Sequence, residues 1–430
     1  MVLFFAFTWL VASLSVPQAA SPECATRDTC RAQALIAEAA GDFERFHDLS
    51  WRAVQKGKGN DPELMVMLAR AMALSGRPGD AIVMLSRLAD MGVKVDASGE
   101  EFRVVRTLKE WPDVEAKLAA LNSPVVTDAA PPAAPAAAPP SPPAASAPPE
   151  PRSAARESRT EATAAPESGF SFSAPDTATS GLAYDAVSRR FLVSDRHAGK
   201  LMVIDEVSHH VVPLVSAAGA GFYNDVAAFR IDARRGDLWV VSSQTQDDHD
   251  ESVLHKLQLV SGRPIFEVKP ESLGDVRLVD VSVDDSGTVY ALDAAGDRIL
   301  RLRAGSRALE LVAAIKVDGP TAFDVIDERT AFVAGSAGVS RVDLASGKAT
   351  LLDAKDPLTG VTAVDAHGRS VYLLQQSSEG GHLVRCKLDR NERGLTSVTT
   401  VDVATAIGRS GDRLYYVAAP GTIKSIRERP

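Results

Sequence analysis

Residues 169 to 430 repeat one unit six times. Its core is an apolar strand bounded by turn residues: "RRFLVSD" (189–195), "GDLWVVSS" (236–243), "GTVYALD" (287–293), "RTAFVAG" (329–335), "RSVYLLQ" (369–375) and "DRLYYVA" (412–418). Successive copies stand 40 to 51 residues apart. Each follows a shorter apolar strand and a polar turn, and most precede a strand alternating apolar and charged residues, such as "LHKLQLVSG". Few folds have this period; it is the rhythm of four-stranded propeller blades. The last copy supplies only three strands before Pro430. The missing outer strand is expected from "SGFSFSA" (168–174), which closes the ring and leaves no open sheet edge.

The preceding segment is different in kind. Residues 123–168 hold nearly half of the 25 prolines and almost no large apolar side chain. Such a stretch buries no core and reads as a disordered Pro/Ala-rich linker. It is expected to act as a spacer that keeps the propeller away from the segment before it. That segment, residues 22–122, is helical in pattern. Leu64, Leu68, Ala71 and Met72 form one stripe, and Ala81, Met84, Leu85 and Leu88 another. Asp61-Pro62 suits a helix start, and Gly76 with Pro78 ends one helix and begins the next. Gly41 lies 35 residues before Gly76, near the period of tetratricopeptide repeats, which this all-α region resembles. "EEFRVVRTLKEWPDVEAKLAAL" (100–121) reads as a closing helix pair. Stacked repeats of this kind bind peptides or partner proteins, or serve as a plain cap.

Residues 1–21 carry an apolar run with no charge before Glu23, followed by small residues. This is the layout of a secretory signal peptide without a basic start, or of an uncleaved anchor. A periplasmic or secreted location is expected. Cys24 and Cys30 are near enough to bridge there, or stay as unpaired thiols; Cys386 falls in a strand. With a net charge of −9 and no basic run, nucleic acid is not an expected partner.

Taken together, residues 175–430 resemble the six-bladed propellers of the gluconolactonase/senescence-marker-protein family and its NHL-repeat and TolB-like relatives. The resemblance rests on blade rhythm. It implies a divalent metal in the central channel, held by oxygen ligands, with substrate-binding groups beside it. The family's Glu before Gly on the first inner strand is Ser180 here, before Gly181. Its Asn in Pro-Asn-Gly is Val279, with Asp280 next to it. Its Asp in Pro-Asp-Gly is Thr321, after Pro320. The substrate-side Arg-x-Asn-Asp survives as Asn224-Asp225 behind Phe222 and Tyr223, without the Arg. A hard cation wants six or more oxygens with carboxylates among them. No catalytic or metal-binding residue is therefore assigned.

Asn224, Asp225 and Asp280 stand as candidate binding residues at the channel mouth; a lone Asn-Asp at the head of a strand also caps turns. The run Asp247, Asp248, His249, Asp250, Glu251 reads as a solvated loop. The expected function is that of an exported, non-enzymatic binding or scaffold protein. Its expected partner is a protein or peptide, or a small ligand in the channel, and no cofactor is expected. The alternatives are a divergent lactonase-like hydrolase, which would need a divalent cation, and a membrane-anchored extracytoplasmic sensor.

Overall fold

A computed structural model describes residues 24–122, 167–173, 179–196, 198–247, 249–270, 273–355, 358–419 and 421–428. The candidate signal segment 1–21 and nearly all of the linker lie outside the described residues.

Six antiparallel sheets of four main strands surround one axis. Their inner strands are Thr179–Asp185, Asp225–Asp232, Leu278–Val283, Ala322–Asp327, Val361–His367 and Ala406–Ser410. The six quoted core strands all fall second in their sheets. The fifth sheet gains a two-residue parallel edge strand, Asp353–Ala354. The sixth blade is completed from the far end of the propeller: Glu167–Ser171 pairs antiparallel with Thr422–Arg427. The ring therefore closes with the expected outer strand.

The apolar alternation has a definite destination. Each junction between neighbouring blades encloses its own buried cluster, such as Trp239, Val241 and Leu278 between the second and third, or Phe172, Phe191 and Val417 between the sixth and first. Burial at these junctions, rather than within any one sheet, provides the main apolar driving force for the ring.

The N-terminal region forms five α-helices: α1 (Arg27–Ala39), α2 (Phe43–Lys56), α3 (Pro62–Leu74), α4 (Pro78–Asp90) and α5 (Trp111–Asn122). Asp61 caps α3, accepting from Glu63 N–H and Leu64 N–H at 3.1 and 3.4 Å. Gly41 and Gly76 take φ of +72° and +76° at the equivalent ends of α1 and α3, where a side chain would be strained. Cys24 and Cys30 form a disulfide across the start of α1. The expected closing helix pair is only half formed. Glu100–Phe102 and Val105–Thr107 are single 3₁₀ turns, and only α5 is a full helix. Adjacent β-branched Val104 and Val105 disfavour helix there, and the Arg106 guanidinium donates to the Ala97 and Gly99 carbonyls at 2.8 and 2.7 Å, folding the segment back on itself.

The helices are not held apart from the propeller. They dock on the turns that follow the first two inner strands and on the turn after the third strand of the second blade, and the buried cluster between those blades continues into α2 and α4. Trp51 of α2 donates its indole N–H to the Ala233 carbonyl at 3.0 Å, and Gln55 donates to the same oxygen at 2.7 Å. Asp80 of α4 accepts the Ser261 N–H at 2.8 Å, and Arg77 lies 3.5 Å from buried Asp237. A linker of this length adds little entropic cost to the return of one unit onto the other.

Candidate functional site

The site is the end of the channel opposite the helices. The helices meet the turns after the inner strands, whereas the channel mouth is built by the residues that open those strands. Ser180, Val279, Thr321, Thr362 and Thr405 stand at equivalent places around it, enclosing a cavity of about 600 Å³. Three of the four hydroxyls are engaged with their own walls. Thr321 Oγ1 donates to the Val361 carbonyl at 2.7 Å, Thr362 Oγ1 lies 3.4 Å from the Leu374 carbonyl, and Ser180 Oγ accepts the Arg196 N–H at 3.1 Å.

Asp280 lines the cavity and is only 6 % exposed. Its Oδ1 accepts Val281 N–H at 2.8 Å and its Oδ2 accepts Phe323 N–H on the next blade at 3.0 Å. Arg230 stands across from it, Nη2 to Oδ1 at 3.9 Å. Burial raises the Asp280 pKa above the ordinary carboxylate value, against the pull of Arg230 and the two N–H donors.

Asp225 and Asn224 separate. Asp225 takes a bidentate pair from Arg196 of the first blade, at 2.5 and 2.7 Å. That pair ties the second strand of one blade to the inner strand of the next, and Arg196, not Asp225, reaches the cavity wall. Asn224 is exposed and does not line the cavity. The structure thus brings Asp280 to the channel and leaves Asn224 and Asp225 at its rim.

A polar row that does not line the cavity continues along the inner strands. Asp324 accepts from Ser282 Oγ at 3.1 Å and from Ala366 N–H at 2.9 Å. Asp365 takes Nε and Nη2 of Arg409, both at 2.6 Å. Burial, reinforced by neighbouring Asp365, raises the Asp324 carboxyl well above its usual range. These residues had a sequence signal. "AAFRID", "AFDVID", "TAVDAH" and "AIGRS" each place one charged residue mid-strand, where the adjacent core strands carry only neutral ones. Charge within an otherwise apolar inner strand marks the face turned to the channel.

The donor set does not fit a hard divalent cation. Among the described residues no group of three or more His, Cys, Asp or Glu is arranged to hold a metal ion. Ser180 and Thr321 bring no charge, Val279 brings no oxygen ligand, and both Asp280 oxygens already accept backbone N–H groups. The acidic run after Gln246 is a hairpin rather than a loop, because strand Asp237–Gln246 pairs on to His249–Gln258. Thr245 Oγ1 donates to Asp250 at 2.6 Å and Gln244 to Glu251 at 2.9 Å, so cross-strand bonds engage these two carboxylates.

No family model matches the chain, and no curated protein matches it. Among solved structures it is similar to the major allergen Mala s 1 of Malassezia sympodialis, at 14 % identity over 58 % of this chain and 92 % of that one, with a TM-score of 0.45. It is also similar to a PQQ-bound aldose sugar dehydrogenase from Streptomyces coelicolor (12 %, 60 % and 96 %, TM-score 0.43). A third is virginiamycin B lyase from Staphylococcus aureus (10 %, 61 % and 99 %, TM-score 0.44). At these identities the likeness is one of fold.

Proposed function

We propose that this chain is an exported, non-enzymatic binding protein whose ligand site is the channel mouth, with the helical unit as a docked cap on the other face. The observation that carries the reading is the mouth itself: a cavity of mostly neutral side chains whose one lining carboxylate among the described residues, Asp280, is spent on backbone N–H groups. A concave, largely preformed pocket with a few fixed polar groups suits a small ligand. Arg230 and Arg196 are the cations on its wall, so the ligand has polar acceptors to offer them. The Cys24–Cys30 disulfide and the signal-like N-terminus support export. The helical hairpins resemble tetratricopeptide repeats, but part of their surface is already taken by the propeller turns.

The lactonase-like alternative requires a channel cation for its Lewis acidity. Equilibrium dialysis of the full chain against Ca²⁺ and Mn²⁺ tests the choice. The reading expects no stoichiometric ion whose retention depends on Asp280. One ion per chain, lost in Asp280→Asn, overturns it. Mass analysis of the exported protein tests the location: a mature chain shorter by about twenty residues, the length of the apolar run and its small-residue tail, supports cleavage, and an intact N-terminus supports the anchored form.

A further inference from the structure

A second pocket lies outside the channel, between the outer parts of the second and third blades. It has a volume of about 250 Å³, and its wall presents four cations, Arg235, Lys256, Arg303 and Arg307, with no acidic side chain among the lining residues. Three of these have carboxylate partners. Lys256 Nζ is 2.6 Å from Asp237, Arg303 Nε is 3.0 Å from Glu310, and Arg235 lies 3.5 Å from Asp232 and 3.8 Å from Asp48 of α2. Arg307 has no carboxylate partner among the described residues; its guanidinium lies over the Phe266 ring at 4.2 Å.

Trp239 forms part of the same wall and is 5 % exposed. Its indole N–H is buried and has no acceptor. A buried donor without a partner costs free energy that a fold does not usually leave uncompensated. A guanidinium without a carboxylate partner and three further cations line one small concavity whose wall includes Trp239, an arrangement that suits a negatively charged oxygen acceptor. A phosphoryl group supplies this, with up to two charges and three acceptor oxygens in a free or monoester phosphate and one charge and two free oxygens in a phosphodiester headgroup, in a geometry that guanidinium groups match.

We propose that this pocket is an oxyanion site for a phosphoryl group, with Arg307 and Arg303 supplying the charge and the Trp239 indole N–H a directed hydrogen bond. The group has two possible sources, a soluble phosphate compound or the headgroup of an anionic phospholipid.

The test is an indole ¹H–¹⁵N spectrum of the full chain, with the Trp239 resonance assigned through single Trp→Phe variants. Inorganic phosphate is titrated against chloride at matched ionic strength, and phosphatidylglycerol vesicles against phosphatidylcholine vesicles. The Trp239 signal is expected to shift saturably with phosphate or with phosphatidylglycerol; the ligand that saturates at the lower concentration identifies the source. Arg307→Ala, an exposed position, is expected to weaken that response roughly tenfold or more, as loss of a charge-assisted hydrogen bond does. Lys109→Ala, an exposed cation outside the pocket, is expected to leave it unchanged. A Trp239 signal that ignores both phosphate and phosphatidylglycerol, that follows chloride equally, or that responds undiminished in Arg307→Ala overturns the proposal.

Discussion

The ring of Trp51 lies directly against Gly236: a Cβ at Gly236 would come within 2.8 Å of three indole ring atoms. Gly236 also holds a φ of +68°, in the turn between the inner and second strands of the second blade. One residue thus meets two demands, a left-handed turn and room for an aromatic from another unit. Trp51, 1 % exposed, is among the largest fully buried side chains. Trp51→Ala is expected to cost about 3–5 kcal/mol, the range for truncating a buried Trp. Gly236→Ala is expected to cost at least about 1 kcal/mol from the positive φ alone, and more from the collision. Denaturant unfolding followed by far-ultraviolet dichroism checks both. A protease is further expected to release the helical unit faster in either variant.

The strand Glu167–Ser171 has a separate role, since it covers the edge strand Thr422–Arg427. Deleting residues 167–173 exposes that edge and removes Phe172, which is 8 % exposed, from the junction of the sixth and first blades. The shortened chain is expected to lose thermal stability and to self-associate through the open edge. Size-exclusion chromatography at several concentrations reads the second effect.

His255 gives stability a dependence on pH. It is buried, its Nε2 lies 2.9 Å from Ser242 Oγ, and burial, with Lys269 nearby, pushes its imidazole down to about 4. The unfolded chain binds a proton near the ordinary value of 6.5, and the folded chain does so only near 4. Below the unfolded value the unfolded state therefore holds more protons, and stability falls as pH drops through that window. His255→Gln is expected to flatten this limb. Unfolding midpoints at steps between pH 7 and 4, in both proteins, provide the check.

The disulfide closes a loop of a few residues at the head of α1, so reduction is expected to cost roughly 2 kcal/mol, toward the low end for such bridges. The cost should appear in the helical unit, read by hydrogen exchange of α1 with and without reductant. Cys386 is fully buried and burial pushes its thiol up to about 12, so it is expected to resist alkylation until the chain unfolds.

Much of this architecture was legible locally. The apolar run in "GDLWVVSS" and its five counterparts marked the blades, and a three-stranded last repeat implied a strand supplied from elsewhere. Asp61-Pro62 and Gly76 fixed helix ends through backbone chemistry that acts within a few residues. The docking of Trp51 on Gly236 was not legible, because neither residue's neighbours reveal a contact 185 positions away in the chain. The spacer-like linker suggested separation for the same reason: its composition describes the linker, not the surfaces it joins. At the channel, Asp280 could be placed by its strand position. The partners that decide its chemistry, Arg230 and the Phe323 N–H, come from other blades. Asp225 looked like a binding group, and its bidentate Arg196 became visible only in three dimensions.

The channel mouth is proposed to bind its ligand without hydrolysing it. Its most direct test is lactone hydrolysis by the purified full chain with Ca²⁺ or Mn²⁺ added. The expected rate is no greater than that of the Asp280→Asn variant. Metal-dependent turnover that Asp280→Asn or Asn224→Ala abolishes would contradict it.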